Sequence, residues 1–116
     1  MAPTAQSRQR AARALREILR GKLLLALCEP ARTELLEFLT VNGRSDIATI
    51  AAAFPQDRSV ISRHLTLLYE AGVLRREKIG RQVFFEMDGP VVVEQLEKIL
   101  DRFRTVVPLC CPSTPT

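Results

Sequence analysis

A succession of segments with helical apolar periodicity, and one short pair of strand-like segments around a glycine turn, predict a mainly α fold with a small β-hairpin. A chain of 116 residues has room for one compact domain with one core. The apolar fraction of 47% and charged fraction of 26% are those of an ordinary globular domain, and no internal repeat suggests a solenoid.

Residues 1–6 read as a frayed tail. From about Ser7 to Ala26 the pattern is helical, with Leu15, Ile18, Leu19 and Lys22 or Leu23 on one stripe and arginines elsewhere. Pro30 suits the first turn of a second helix, where its missing N–H costs nothing. That helix carries Leu35, Leu36 and Leu39 inward until Asn42-Gly43 stop it. Ser45 is placed to cap a short third helix, with Ile47, Ile50, Ala51 and Phe54 on one face and Pro55 at its end. Asp57 caps a fourth helix running to about Ala71, closed by Gly72, with Ile61, Leu65 and Leu68 inward. Val73–Lys78 and Gln82–Met87 are the hairpin strands, turning at Ile79-Gly80-Arg81. A last helix, from about Val91 to Arg104, carries Val92, Leu96, Ile99, Leu100 and Phe103. Residues 105–116 are expected to be a flexible tail that carries thiols. Two short helices, a tight connection and a basic-tipped hairpin together describe a winged helix-turn-helix. The apolar surface of the first and last helices exceeds what one small core covers, which points to a homodimer paired through them.

The formal charge of +4 says little, but its distribution says more. Arg8, Arg10, Arg13, Arg16, Arg20 and Lys22 load the N-terminal segment; Arg58, Arg63, Arg75, Arg76, Lys78 and Arg81 load the middle; Glu86 to Asp101 is acidic. Basic charge gathered in blocks suits a nucleic-acid partner. On the fourth helix the face opposite the apolar stripe is Ser59, Ser62, Arg63 and Thr66. Short hydroxyls and an arginine allow close approach to a major groove and hydrogen bonding there, although a merely solvated polar face has the same composition. Arg58, Lys78 and Arg81 are placed to meet phosphates of double-stranded DNA. His64, the single histidine, is either on the DNA face or in helix packing.

The apolar run Leu23–Leu27 before Cys28 is shorter than a secretion-signal core, and Leu27 is too large for the position before a cleavage point. No segment reaches transmembrane length, so no membrane partner is expected. Three cysteines, an odd and small number, do not make a disulfide scaffold. The chain is therefore read as cytoplasmic, with its thiols normally reduced.

Asp57 to Met87, read as DRSVISRHLTLLYEAGVLRREKIGRQVFFEM, resembles the ArsR/SmtB family of metal-sensing repressors. The matching pieces are Ser62-Arg63-His64-Leu65, the run Leu68-Tyr69-Glu70-Ala71-Gly72-Val73-Leu74, and Gly80-Arg81 followed by Val83-Phe84-Phe85. Pro30-Ala31-Arg32 followed by Leu35-Leu36 resembles the family's second helix. The resemblance implies a dimer built on the first and last helices, operator binding without metal, and release when an effector ion binds. The family's arsenic-sensing Cys-x-Cys in the third helix is absent here, since Asp46-Ile47-Ala48-Thr49-Ile50-Ala51 holds no thiol. The zinc-sensing pattern of Asp and His on the last helix is also absent.

Cys28, Cys110 and Cys111 remain as candidate ligands. Adjacent cysteines, with Cα atoms about 3.8 Å apart, are poorly placed to bridge each other, yet they can direct two sulfurs at one soft ion. With Cys28 they would make a three-thiolate site suited to As(III) or Sb(III), or to another thiophilic ion. By resemblance, some arsenic-responsive members of the family use a cysteine pair near the C-terminus. Taken alone, Cys28 also fits a small buried hydrophobe and the pair a tail with incidental thiols. The same cysteines would serve a thiol-redox repressor, the alternative to ion sensing. An enzyme is not expected: Cys28-Glu29-Pro30-Ala31-Arg32 brings the arginine too soon for a Cys-x5-Arg anion loop. A winged helix used only for protein contacts fits the serine face and basic wing less well.

Overall fold

The computed structural model describes residues 3–111. In chain order the elements are α1 (Ala5–Leu19), α2 (Lys22–Leu27), α3 (Pro30–Asn42), β1 (Ser45–Asp46), α4 (Ile47–Ala52), α5 (Arg58–Glu70), β2 (Leu74–Ile79), β3 (Gln82–Met87) and α6 (Gly89–Cys110). The chain, read from its length as one domain, divides into two compact units. Lys22–Val92 is the winged unit, and the terminal unit joins residues up to Gly21 with those from Val93 onward.

The core of the winged unit is the apolar set that periodicity picks out. Leu35, Ile50, Ile61, Leu65, Leu68 and Val73 are fully buried, with Leu39 and Phe85 close behind. Helix α5 packs against α2, α3, α4 and β2, so its inward stripe forms the centre of this unit. Leu36, expected inward with Leu35 and Leu39, is only half-buried at the edge of the stripe. Gly43 ends α3 at φ 72°, and the chain then leaves extended rather than as a helix cap. Ser45 and Asp46 pair with Phe85 and Phe84 on β3, which makes a three-stranded antiparallel sheet ordered β1-β3-β2. The expected cap at Ser45 is therefore corrected. Ser45 is buried and donates its hydroxyl to the Gly43 carbonyl oxygen, while Asp46 occupies the N-cap of α4. Asp57 does occupy the N-cap of α5, but its side chain makes no capping hydrogen bond.

The hairpin forms where expected, but its first strand is shifted by one residue: Val73 lies outside it, and Ile79, expected in the turn, pairs with Gln82 at the end of a ladder that starts with Leu74 opposite Met87. Gly80 takes φ 61° in the two-residue turn, a left-handed conformation in which a side chain would be strained.

The terminal unit departs further from expectation. Residues 3–6 are not frayed: Thr4 caps α1 in a reciprocal box with Ser7, each backbone N–H donating to the other's hydroxyl at 3.0 Å. The long helix expected from Ser7 to Ala26 is broken at Arg20-Gly21. A Cβ at Gly21 would meet the Ile18 carbonyl oxygen at 3.2 Å, so glycine fits that bend where a side chain would crowd it. At the other end α6 does not stop near Arg104 but continues to Cys110, with Pro108 inside it. The tail expectation for residues 105–110 is corrected accordingly; residues 1–2 and 112–116 lie outside the described residues. Asp88 starts this helix, its carboxylate accepting from the Val91 N–H at 3.4 Å. None of the 22 residues of α6 is buried, and Val93, Leu96, Leu100, Phe103 and Val107 form an exposed apolar stripe.

Burial of this kind sets a clear contrast. Leu65→Ala, at a site with no solvent exposure, is expected to cost about 2–5 kcal/mol in chemical denaturation. Val41→Ala, 78% exposed, is expected to change stability by no more than about 0.5 kcal/mol.

Candidate nucleic-acid interface and thiol pair

Burial of Ile61, Leu65 and Leu68 turns the opposite side of α5 outward. Arg58, Ser59 and Arg63 are exposed, and Ser62 and Thr66 are half-exposed on the same side. Thr66 donates its hydroxyl to the Ser62 carbonyl oxygen at 2.9 Å, which holds its side chain against the helix and leaves a shallow surface around Arg63. The sequence-predicted face is thus brought together by one helix.

The wing sorts its basic residues into engaged and outward sets. Arg44 pairs with Glu77 at 2.9 Å and lies 4.8 Å from the Phe84 ring centre. Arg76 stacks over Tyr69 at 4.3 Å, and Arg75 faces Glu86 at 3.8 Å. Register explains the pairing: Arg75 is opposite Glu86 and Glu77 opposite Phe84 on β3. Among the described residues, Arg58, Arg63, Lys78 and Arg81 make no ion pair with a carboxylate. Lys78 and Arg81 are exposed at the hairpin tip. Three cations, Arg63, Lys78 and Arg81, therefore lie on α5 and the wing tip without a carboxylate partner among the described residues, while the Asp46 carboxyl, held below its ordinary range first by Thr49, also feels the charge of Arg58.

His64 is not exposed beside Arg63. It is half-buried, with its Nδ1 3.3 Å from an Arg32 guanidinium nitrogen. Arg32 also donates to the carbonyl oxygens of Ala26 at 2.6 Å and Leu25 at 3.1 Å. An arginine has no lone pair to offer, so in a hydrogen bond between the two Arg32 is the donor and Nδ1 the acceptor. Arg32 thereby ties the end of α2 to α5. Sequence reasoning met Arg32 in the resemblance and in excluding an anion loop but gave it no packing role; the signal was an arginine in the first turn of a proline-started helix.

The three thiols are distributed unequally. Cys28 is exposed directly after α2, in the winged unit, and is not the buried small hydrophobe that a free cysteine often is. Cys110 and Cys111 are exposed at the end of α6, in the terminal unit, with sulfurs 3.2 Å apart. The hydrogen bond between the two sulfurs, followed by desolvation and by the charge of the neighbouring sulfur, pushes the Cys110 thiol above its ordinary pKa. Among the described residues no group of three His, Cys, Asp or Glu side chains is clustered for a metal ion. The fold of one chain assembles the pair but no third ligand around it. Among the same residues no helix is long and apolar enough to cross a membrane.

Comparison with known proteins places this geometry in context. No family model matches the chain. A curated relative, a cadmium resistance transcriptional regulatory protein CadC homolog of Staphylococcus aureus, is 26% identical over 78 residues. That match covers 67% of this chain and 64% of the relative, so the chain spans somewhat under two thirds of that protein's length. The crystal structure of a possible transcriptional regulator for arsenical resistance is 34% identical and matches with a TM-score of 0.60. The match covers 81% of this chain and 97% of that one. The AntR antimony-specific transcriptional repressor is 26% identical, with 71% and 74% of the two chains covered and a TM-score of 0.55. These relatives are regulators of transcription, not enzymes. With a relative at this identity covered almost end to end, a winged unit of the expected topology and the α5 and wing motifs in order, the chain belongs to the ArsR/SmtB family of transcriptional regulators.

Proposed function

We propose that this protein is a homodimeric repressor that binds operator DNA through α5 and the wing, and leaves it when a thiophilic ion such as As(III) or Sb(III) binds its cysteines. The observation that carries the reading is the joint presence of an outward Ser59, Ser62, Arg63, Thr66 face, uncompensated cations at the wing tip, and two sulfurs 3.2 Å apart at a helix end. Related proteins named for arsenical, antimony and cadmium responses support the effector class.

On the DNA side, Arg63 reads a base edge, with Ser59, Ser62 and Thr66 close to the groove floor. Arg58, exposed at the first turn of α5, is placed to meet a phosphate at that helix end. Lys78 and Arg81 track the backbone from the wing. His64 acts from behind the face, holding α5 through Arg32. Arg63→Ala is expected to weaken operator binding by about 1–3 kcal/mol and to relax specificity at one base position. Arg81→Ala should weaken all sequences alike and reduce the salt slope by about one counterion. Fluorescence anisotropy on operator and scrambled duplexes across a salt series separates the two.

The subunit contact is assigned to the first and last helices. A 22-residue helix without one buried residue, carrying Leu96, Leu100 and Phe103 outward, has apolar surface to lose to a second copy. Replacing Leu96 and Leu100 together by glutamate is expected to give monomers in sedimentation, with weak DNA binding because each holds a single half-site.

On the effector side, Cys110 and Cys111 supply two thiolates and Cys28 the third, a set that matches the pyramidal trivalent state of arsenic or antimony. The pair ends the helix assigned to the subunit contact, so an ion there acts on the contact that sets half-site spacing. A coupling of about 1–3 kcal/mol is the usual size for such linkage. Arsenite titrated into the reduced protein on its own upstream DNA is expected to release wild type. Cys28→Ser, Cys110→Ser and Cys111→Ser should each still bind the DNA but not respond. If oxidant rather than arsenite released the wild type, the same thiols would be acting as a redox switch.

A further inference from the structure

The net charge of this chain sits on one helix. Arg8, Arg10, Arg13, Arg16 and Arg20 stand against a single glutamate, Glu17, which gives this segment a formal +4. That is also the formal charge of the whole chain, so the twelve cations and twelve carboxylates of the remaining sequence cancel. We propose that the arginine side of α1 is a further DNA contact, binding the phosphate backbone of the duplex in addition to α5 and the wing. The proposal rests on the DNA-binding reading above and adds a surface to it.

Helical spacing gathers the side chains. Gln6, Gln9, Arg10, Arg13, Arg16 and Arg20 are related by steps of three and four residues, so they share one side of α1 and its C-cap. All six are exposed. The opposite side is apolar: Ala11 is buried, and Leu15, Ile18 and Leu19 are half-buried. The subunit contact assigned to α1 draws on that apolar side, and the arginines face away from it.

These cations are also uncompensated. Among the described residues, Arg10, Arg13, Arg16 and Arg20 make no ion pair with a carboxylate, although Glu17 follows Arg13 by four positions and precedes Arg20 by three. Arg10 with Arg13, Arg13 with Arg16, and Arg16 with Arg20 are like-charge neighbours, a pattern that destabilises a helix unless an anion lies over it.

The size of the row suits a polyanion. At about 1.5 Å per residue, the step from Arg10 to Arg20 covers about 15 Å of helix. One strand of B-form DNA carries a phosphate about every 3.4 Å along its axis, so the row spans about four of them. Gln6, Gln9, Arg10 and Arg13 line a shallow, mainly polar hollow of about 450 Å³. Arginine and glutamine are donors from which phosphate oxygens accept. A lipid surface is a poorer match, because an interfacial helix offers bulky apolar groups to the bilayer and those of α1 are already half-buried.

Fluorescence anisotropy of the reduced full-length protein on operator and scrambled duplexes, across a salt series, tests this. Arg10→Gln, Arg13→Gln and Arg16→Gln combined keep helix propensity. They are expected to weaken both duplexes by the same factor, about tenfold or more at about 0.1 M salt. The slope of log affinity against log salt should fall by about two to three. From about 50 to about 200 mM salt, wild type then loses about fortyfold more affinity than the variant. Arg10→Lys, Arg13→Lys and Arg16→Lys combined should bind within about twofold of wild type. Arg13→Gln alone should lower the slope by about one, and Arg102→Gln, at an exposed position of α6, should leave it unchanged.

An unchanged slope in the triple glutamine variant would overturn the proposal and leave α5 and the wing as the DNA contact. So would lysine variants as weak as the glutamine ones, because the loss would then lie in folding or assembly and not in charge. Equal effects of Arg13→Gln and Arg102→Gln would make α1 a source of long-range field only, and would also overturn it. If the arginines governed flotation with phosphatidylcholine and phosphatidylserine vesicles while DNA affinity stayed the same, the surface would be a lipid contact and the proposal would fall. Arg63→Ala that kept operator specificity, with the α1 variants still lowering affinity, would remove the α5 reading and keep this one. Wild type that binds neither duplex would end both.

Discussion

Everything that the winged unit presents to its surroundings depends on the burial of one side of α5. Ile61, Leu65 and Leu68 lie fully inside, packed by α2, α3, α4 and the first strand of the wing. A helix has one rotation about its axis, so fixing three inward residues fixes every outward one. The direction of Arg63 is therefore not set by any contact of Arg63 itself. It is set by leucine and isoleucine side chains on the opposite face, each contributing on the order of 1.5–3 kcal/mol by leaving water. The hairpin follows from the same core, because Val73 and Leu74 enter it directly after the α5 terminus.

Electrostatics then decides which parts of that surface are open to an anion. The wing is rich in arginine, but charge count alone overstates what is available. Arg44 and Arg75 face carboxylates or a ring on the strands, and Arg76 lies over Tyr69 of α5, which together stabilise an edge that would otherwise invite strand pairing. The cations left outward here lie on the exposed side of α5 and at the hairpin tip. Arg32 has a different part again, since three of its contacts are inward and together join α2, α3 and α5.

Much of this was legible in the amino-acid order. The α3 and α5 limits, the existence of the hairpin and the inward residues of α5 all follow from periods of 3.6 and 2 with glycine and proline punctuation. The expectations that missed share a physical cause: each depended on a partner distant in sequence or on a local break weaker than its flanking pattern. Ser45 belongs to a strand of two residues, too short for any period, whose partner Phe85 lies forty positions on. Gly21 stood in view, but the leucines on either side of it continued the helical stripe across the bend. The thiol site was half legible. Adjacency in sequence brings Cys110 and Cys111 together whatever the fold, whereas nothing local says where Cys28 stands.

Pro108 gives the end of α6 a mechanical character of its own. Proline has no amide hydrogen, so the ladder of α6 lacks the rung that residue 108 would donate to the carbonyl four residues earlier. Beyond that gap the last turn is fastened by bonds such as that from the Cys111 N–H to the Val107 carbonyl oxygen at 2.7 Å. A segment attached in this way behaves like a short lever beyond a hinge, able to swing or fray in nanoseconds without disturbing the helix behind it. The two sulfurs ride on that lever. Under the proposed effector binding, a ring of covalent bonds closed through them would stiffen this turn and transmit order backward into α6.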